Sequence, residues 1–157
     1  MKKLLIGTIL LSSLLLSSCS FIDASKAKEY IIDNTFVEKD SGYIPKSIYT
    51  LSFTNDDYTL SYHQDALKTS EVDLEEINLS VTGTWAYGAK VEHSWVGDWN
   101  ITHHITYYIV SLSEHPKREG ETYFCFELDS GVGYLCNTYP SGGDYLNGLM
   151  LVKQSKE

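Results

Sequence analysis

The sequence predicts an all-β domain: an antiparallel meander of about eight short strands that follows a cleaved signal peptide. Two observations support this. The chain after the signal is rich in Tyr, Thr, Ile and Val, which favour strands, and apolar and polar residues alternate between turn residues. A meander of eight strands can close into a barrel that leaves no edge open to aggregation. A two-sheet sandwich satisfies the same periodicity, so it remains the alternative to a small barrel.

The first 18 residues have the pattern of a signal peptide. Lys2 and Lys3 precede a 13-residue apolar run from Leu4 to Leu16, and small residues then lead to Cys19. A helix of that length rises about 20 Å, whereas the hydrocarbon core of a bilayer is roughly 30 Å thick. We therefore predict cleavage before Cys19 rather than a spanning anchor.

The segment Leu16-Ser17-Ser18-Cys19 resembles the lipobox of bacterial lipoproteins. The resemblance implies that Cys19 carries a diacylglyceryl group on sulfur and usually a further acyl chain, such as palmitate, on its amino group. Each buried methylene contributes about 0.8 kcal/mol, so two or three chains hold a protein on a membrane. We expect a lipid-anchored domain outside the cytoplasm, on the cell membrane or the outer membrane.

The length of the chain fits one domain after the signal peptide. We assign residues 1–18 to the signal peptide, 19–34 to a lipidated tether with a short helix, and 35–157 to the β-domain. The signal contains two of the 12 basic residues and none of the 21 acidic ones, so its removal changes the net charge from −9 to −11. Such a charge disfavours nucleic acid. It suits a basic protein partner, and solubility alone is the simpler explanation of the same charge.

Within the tether, the sequence favours one or two helical turns. Ala27, Tyr30 and Ile31 fall on one helical face, and Asp23 suits the N-cap. Such a segment either plugs one end of the domain or serves as a spacer.

Alternation predicts the strands of the domain. Gly83 is expected to bend or end one of them, and residues 94–100 are expected to form a loop. Gln64 to Glu76 breaks the alternation with five acidic residues, which predicts either a capped helical turn or an acidic surface loop. The predicted strands cover residues 35–39, 47–54, 58–62, 77–83, 84–93, 101–112, 122–128, 134–139 and 149–153.

The succession YTLSFTNDDYTLSYH, INLSVTGTWAYGAKVEH and GLMLVKQ resembles the small lipocalin-like domains of bacterial surface lipoproteins. Gly83-x-Trp85 is similar to the lipocalin Gly-x-Trp motif, although that motif lies before the first strand and this one lies mid-chain. The resemblance covers most of the mature chain. It implies a small barrel with an apolar cavity for a small apolar or amphiphilic ligand.

Cys125 and Cys136 lie on two predicted strands joined by a turn. A two-residue loop at 130–131 places the two cysteines directly opposite each other, at a spacing that a disulfide can bridge. A longer loop at 130–133 instead places Cys125 opposite Thr138. We favour the first register and predict a structural disulfide, which an oxidising compartment permits.

Aromatic residues are the strongest indication of binding. Trp85, Tyr87, Trp95 and Trp99 occur within fifteen residues, and the last two are expected in a loop. Loop tryptophans form platforms for sugars or anchors for a protein partner, although the same residues also serve as core. By residue type, we assign the lining of an apolar ligand site to Trp85, Tyr107, Phe124 and Phe126.

The sequence carries no catalytic or metal-binding signature. His103 and His104 point to opposite faces of a strand. His93 and His103 can meet across a hairpin, but the spacing of known zinc sites is absent. A Gly-x-Ser-x-Gly elbow is also absent. We therefore predict no enzymatic activity, no metal and no cofactor.

Two hypotheses of function follow. The first is a non-enzymatic lipoprotein whose barrel holds a small apolar or amphiphilic ligand. The alternative is a protein-interaction module of the cell envelope, for example an inhibitor or adhesin that binds a basic protein. Its contact surfaces would be the acidic segment 64–76 and the loop that carries Trp95 and Trp99.

Overall fold

The structure is a computed structural model, and it describes residues 21–39, 42, 44–128, 130–141 and 147–154. Predictions that concern residues 1–20, including cleavage and lipidation at Cys19, lie outside these residues. A helix, α1, covers residues 21–31. The strands are β1 (Thr35–Glu38), β2 (Ser47–Phe53), β3 (Asp57–Gln64), β4 (Leu67–Lys68), β5 (Asp73–Leu74), β6 (Ile77–Val96), β7 (Thr102–Leu112), β8 (Thr122–Phe126), β9 (Val132–Cys136) and β10 (Leu149–Lys153).

Eight strands close into an antiparallel barrel in the order β1-β10-β9-β8-β7-β6-β3-β2. Barrel strands that follow one another in the chain pair with each other, β3 pairs with β6 across the β4–β5 hairpin, and the pairing of β1 with β10 closes the sheet. Closure pairs the two strands that would otherwise form the edges of the sheet, and unpaired edges promote aggregation. The predicted eight-stranded antiparallel barrel is therefore confirmed, and it is consistent with a lipocalin-like barrel; the sandwich is excluded.

Helix α1 plugs one end of the barrel. Ala27 and Ile31 are fully buried, and the ring of Tyr30 stacks on Phe126 with centroids 5.4 Å apart. The backbone N–H of Gly131 donates a hydrogen bond of 3.1 Å to the Tyr30 hydroxyl. The predicted apolar helical face is therefore the face that seals this end, which we call the helix end.

Aromatic and aliphatic side chains fill the barrel interior. Phe36 and Phe124 meet edge to face with centroids 4.9 Å apart, and Phe53 lies 5.7 Å from Phe124. Eight-stranded barrels are just wide enough for such side chains to fill them. Other strand residues of this buried cluster are Leu51, Tyr58, Leu60, Tyr108, Val110, Leu112, Phe126, Leu135 and Leu151.

Strand β6 is continuous over 20 residues and changes partner along its length. It pairs with β3 from Ile77 to Thr84 and with β7 from Trp85 to Val96. Gly83 lies next to the point where the partner changes. A Cβ at this position would collide with the side chains of Ser113 and Tyr58, so glycine allows their close approach. The strand does not end at Gly83, and residues 94–96, predicted in a loop, belong to it.

A bulge in β6 between Tyr87 and Ala89 exchanges the two faces of the strand. Before the bulge, Tyr87 packs against the interior; after it, Ala89 and Val91 pack outside the barrel. A β-bulge adds one unpaired residue and so reverses the alternation. The result is a second apolar cluster on the outer barrel face, the outer cluster, which holds Tyr107, Ile109, Cys125 and Cys136 with Ala89, Val91, Ile105, Tyr123 and Tyr134.

The acidic segment 64–76 forms a short hairpin rather than a helical turn or an irregular loop. Strands β4 and β5 pair there, and Lys68 Nζ lies 3.2 Å from a carboxylate oxygen of Asp73. Because the hairpin buries almost no side chain, its acidic residues remain exposed.

The register of β8 and β9 differs from both predicted registers. Cys125 pairs with Tyr134, and Cys136 pairs with Tyr123. The last pair of the two strands is Phe126 with Gly133, so the connecting turn is longer than two residues. Within it, the Ser130 hydroxyl donates to Glu127 O and accepts from Val132 N. The two cysteines are therefore diagonal neighbours on the outer face instead of direct partners.

Candidate functional site

The seven residues assigned to ligand binding do not form one site. Phe124 and Phe126 lie in the barrel core, where they are 0% and 1% exposed. Tyr107 is also buried, but in the outer cluster; its neighbour Tyr108 is the one that faces the interior. These three residues therefore contribute to packing.

Trp85 and Tyr87 lie half-buried at the helix end. The Trp85 indole N–H donates a hydrogen bond of 3.2 Å to Thr54 O, and the ring meets Phe53 edge to face. Both residues line a shallow cavity of about 520 Å³ between α1 and the turn from β2 to β3. Phe21 of α1 forms part of its wall.

Trp95 and Trp99 lie on a two-stranded ribbon that extends beyond the helix end. β6 has no β3 partner after Thr84, and β7 has no β8 partner before Tyr108 among the described residues. We call residues 91–107 the arm. Its apolar side chains are exposed toward the tip, with Trp95 43%, Val96 65%, Trp99 93% and Ile101 54% accessible.

The backbone of the arm tip holds Trp99 outward. Trp99 and Asn100 have φ values of 64° and 56°, a left-handed conformation that L-residues adopt at a cost of roughly 1–2 kcal/mol. Gly97 N–H donates to Ile101 O at 2.9 Å and closes the turn. Strain of this kind concentrates at functional sites.

The arm also carries three histidines. The Trp95 indole stacks between His93 and His103, at centroid distances of 5.7 and 5.2 Å. His104 lies on the opposite face, where its Nδ1 is 2.7 Å from Ser94 Oγ. Trp95 thus stacks on both histidines that were considered as metal ligands, and the described residues contain no cluster of three or more metal-ligating side chains.

A third location, which the sequence analysis missed, is the barrel end opposite α1. We call it the mouth. Residues 113–121 connect β7 to β8 and lean across this end, held by Tyr58, whose hydroxyl accepts a 2.6 Å hydrogen bond from Glu114 N. A cavity of about 450 Å³ opens there, lined by Tyr49, His115, Lys117, Arg118, Leu135, Cys136, Asn137, Thr138, Pro140, Asn147, Gly148 and Leu149.

Aromatic rings and basic groups meet at the mouth. The Tyr49 ring lies 4.8 Å from Tyr62 and 5.7 Å from His115, and Lys117 Nζ lies 4.0 Å over the Tyr62 ring. Arg118 donates from Nη2 to Thr122 Oγ1 at 2.7 Å. Its Nε is buried and has no hydrogen-bond partner within the described part of the chain.

Burial and neighbouring groups at the mouth shift the pKa values of His115 and Tyr49. Burial, Arg118 and Lys117 together lower the pKa of His115 to about 4. Burial, Tyr62 and the Glu38 carboxylate raise the pKa of Tyr49 to about 12. At neutral pH, His115 and Tyr49 are therefore uncharged, and Lys117 and Arg118 carry the positive charge beside them.

The two cysteines of the outer cluster are buried thiols in this structure. The hydrogen bond with Cys136, together with burial, raises the pKa of Cys125. The disulfide between Cys125 and Cys136 stays a prediction.

Comparisons with known proteins found no match among protein-family models, curated proteins or solved structures. None of the helices in the described residues has the length and apolar character needed to cross a bilayer. Function is therefore inferred from the geometry of the barrel, the arm and the mouth.

Proposed function

We propose that the protein is a lipid-anchored, non-enzymatic interaction module of the bacterial cell envelope, and that its arm binds a protein partner. The observation that carries this proposal is the arm tip, where Val96, Trp99 and Ile101 are exposed together beyond the barrel. Exposed apolar groups that lie together mark interaction sites. Tryptophan is enriched among the residues that contribute most to binding energy.

The position of the N-terminus supports a role at the membrane. Cys19 precedes Phe21 by two residues, so an acylated Cys19 would hold the helix end close to the lipid surface. The base of the arm lies at the same end, because Lys90 Nζ is 4.0 Å from a carboxylate oxygen of Asp23 in α1. The arm would therefore meet partners that are themselves embedded in the membrane or lie near it.

Charge favours a basic partner. The mature chain carries a net charge of −11, which steers cationic proteins toward it over distances of about 10 Å or less at physiological salt. The acidic hairpin of β4 and β5 and the arm lie at opposite ends of β6. They are thus two separate surfaces, with the apolar contacts supplied by the arm.

A ligand inside the barrel is less well supported. Phe36, Phe53 and Phe124 occupy the interior, and α1 seals one end with Ala27 and Ile31. A small apolar molecule would have to displace these side chains, whose burial stabilises the fold.

Site-directed photo-crosslinking in the source cells tests the arm. A benzophenone amino acid at position 99 is expected to form discrete higher-mass adducts, because Trp99 would contact the partner. The same group at position 82, on the outer barrel face at an exposed threonine, is the matched control. Adducts from position 82 alone, or from neither position, would contradict the proposal.

A further inference from the structure

The mouth has the features of a binding site that is independent of the arm. It lies at the end of the barrel opposite α1, and its cavity of about 450 Å³ is within the usual size range for small-molecule pockets. Interior-facing residues of three strands, Tyr49, Leu135 and Leu149, form its floor. The connection from β7 to β8 forms one wall, and Asn137 and Thr138 lie in another.

Two basic side chains line this cavity in a chain that is otherwise strongly acidic. Lys117 and Arg118 have no carboxylate partner among the described residues, and their contacts are instead the Tyr62 ring, Thr122 Oγ1 and the carbonyl of Glu121. A buried guanidinium nitrogen without an acceptor is costly unless something supplies one. Arg118 Nε is such an atom.

The surrounding groups favour an anion. His115 remains neutral because of burial, Arg118 and Lys117, and Tyr49 keeps its proton because of burial, Tyr62 and Glu38. Both are therefore available as neutral hydrogen-bonding groups. Four acidic residues lie at this end: Glu38, which accepts a 3.0 Å hydrogen bond from the backbone N–H of Tyr49, and Glu114, Glu119 and Glu121 of the connection. None of these four lines the cavity.

We propose that the mouth binds a small organic anion, whose carboxylate or phosphate group lies between Lys117 and Arg118. Its apolar part contacts Leu135, Leu149 and the Tyr49 ring. Arg forms bidentate hydrogen bonds with either anionic group, and Lys supplies a point charge. The short apolar floor selects organic anions over inorganic ones, since contact with it is favourable only for a ligand with apolar surface.

Ligand-observed NMR on the purified mature protein in lipid nanodiscs tests this proposal. Four probes separate the contribution of the anionic group from that of the apolar group: benzoate, phenyl phosphate, inorganic phosphate and benzyl alcohol. Benzoate, phenyl phosphate or both are expected to bind, which also identifies the preferred anionic group. Inorganic phosphate is expected to bind at least tenfold more weakly than the better organic anion, and benzyl alcohol is expected not to bind. Equal binding of benzyl alcohol, or binding of no organic anion, would overturn the proposal.

Two variants locate the site. Lys117→Gln is expected to weaken binding of the organic anion at least fivefold, since it removes one of the two charges. Lys28→Gln removes a partly exposed charge at the helix end and is expected to leave affinity unchanged. Equal affinity of both variants would overturn the proposal. Photo-crosslinking through position 99 does not depend on this result, so the two proposals fail separately.

Discussion

At the scale of single residues, His115 shows how the mouth affects stability. Its pKa is lowered from 6.5 to about 4 by burial, Arg118 and Lys117. The unfolded chain therefore binds a proton between pH 6.5 and pH 4 that the folded chain does not bind. Consequently, the contribution of His115 to the free energy of unfolding decreases as the pH falls through this window.

We expect His115→Gln to remove this contribution. Between pH 7 and pH 4, the unfolding temperature of the variant should fall less than that of the wild type, as calorimetry would measure. His63→Gln is the control, because hydrogen bonds with Asn78 and Asp65 raise the pKa of His63 and give its contribution the opposite sign. Identical pH profiles for the wild type and His115→Gln would contradict this assignment.

Trp99 permits a separation of binding from folding. Its left-handed backbone conformation suits glycine, and its side chain is 93% exposed. Trp99→Gly should therefore leave the unfolding temperature unchanged or raise it slightly, while a crosslinker at the neighbouring position 101 loses its adducts. A clear loss of stability, measured by thermal unfolding, would show that Trp99 serves the fold instead.

At the scale of elements, α1 acts as a plug rather than a spacer, and this has an energetic consequence. Ile31 is fully buried in the barrel cluster, so Ile31→Ala should lower the free energy of unfolding by about 2–5 kcal/mol. Ile22 lies on the same helix but is 51% exposed, so Ile22→Ala should change it by less than about 0.5 kcal/mol. Urea denaturation of the mature protein measures both. Equal effects would mean that α1 does not seal the barrel.

The strands were predictable where one face is buried and the other is exposed to solvent. Leu51 and Phe53 alternate with polar residues, so β2 and its pairing with β3 follow from period-two alternation. The exchange of faces in β6 was not predicted, because period-two alternation was continued across Gly88. The strand bulges there, and a Cβ at Gly88 would lie 3.3 Å from Ile109 O. The predicted pairing of Cys125 was also wrong, because the length of the turn that follows β8 could not be read from the sequence. That turn contains the local hydrogen bonds of Ser130.

The candidate sites, too, were only partly predictable from the sequence. Exposed tryptophans were recognisable by residue type, and Trp99 lies in a loop as predicted. The mouth was not recognisable, because Lys117 and Arg118 belong to an ordinary charged segment in sequence. Only barrel closure brings that segment against Tyr49 and Tyr62, which lie more than fifty residues earlier.

At the scale of the whole molecule, the proposal requires that the chain be held at a membrane by Cys19 alone. Metabolic labelling with an alkyne fatty acid should mark the wild type, and Cys19→Ala should lose both the label and its recovery with membranes. Two acyl chains are needed for stable anchoring, so loss of the acylated residue should release the protein. Cys136→Ser is the matched control: it removes another cysteine and should retain the label. Label that persists in Cys19→Ala would place the attachment elsewhere and would remove the reason for expecting the arm to lie beside the lipid surface.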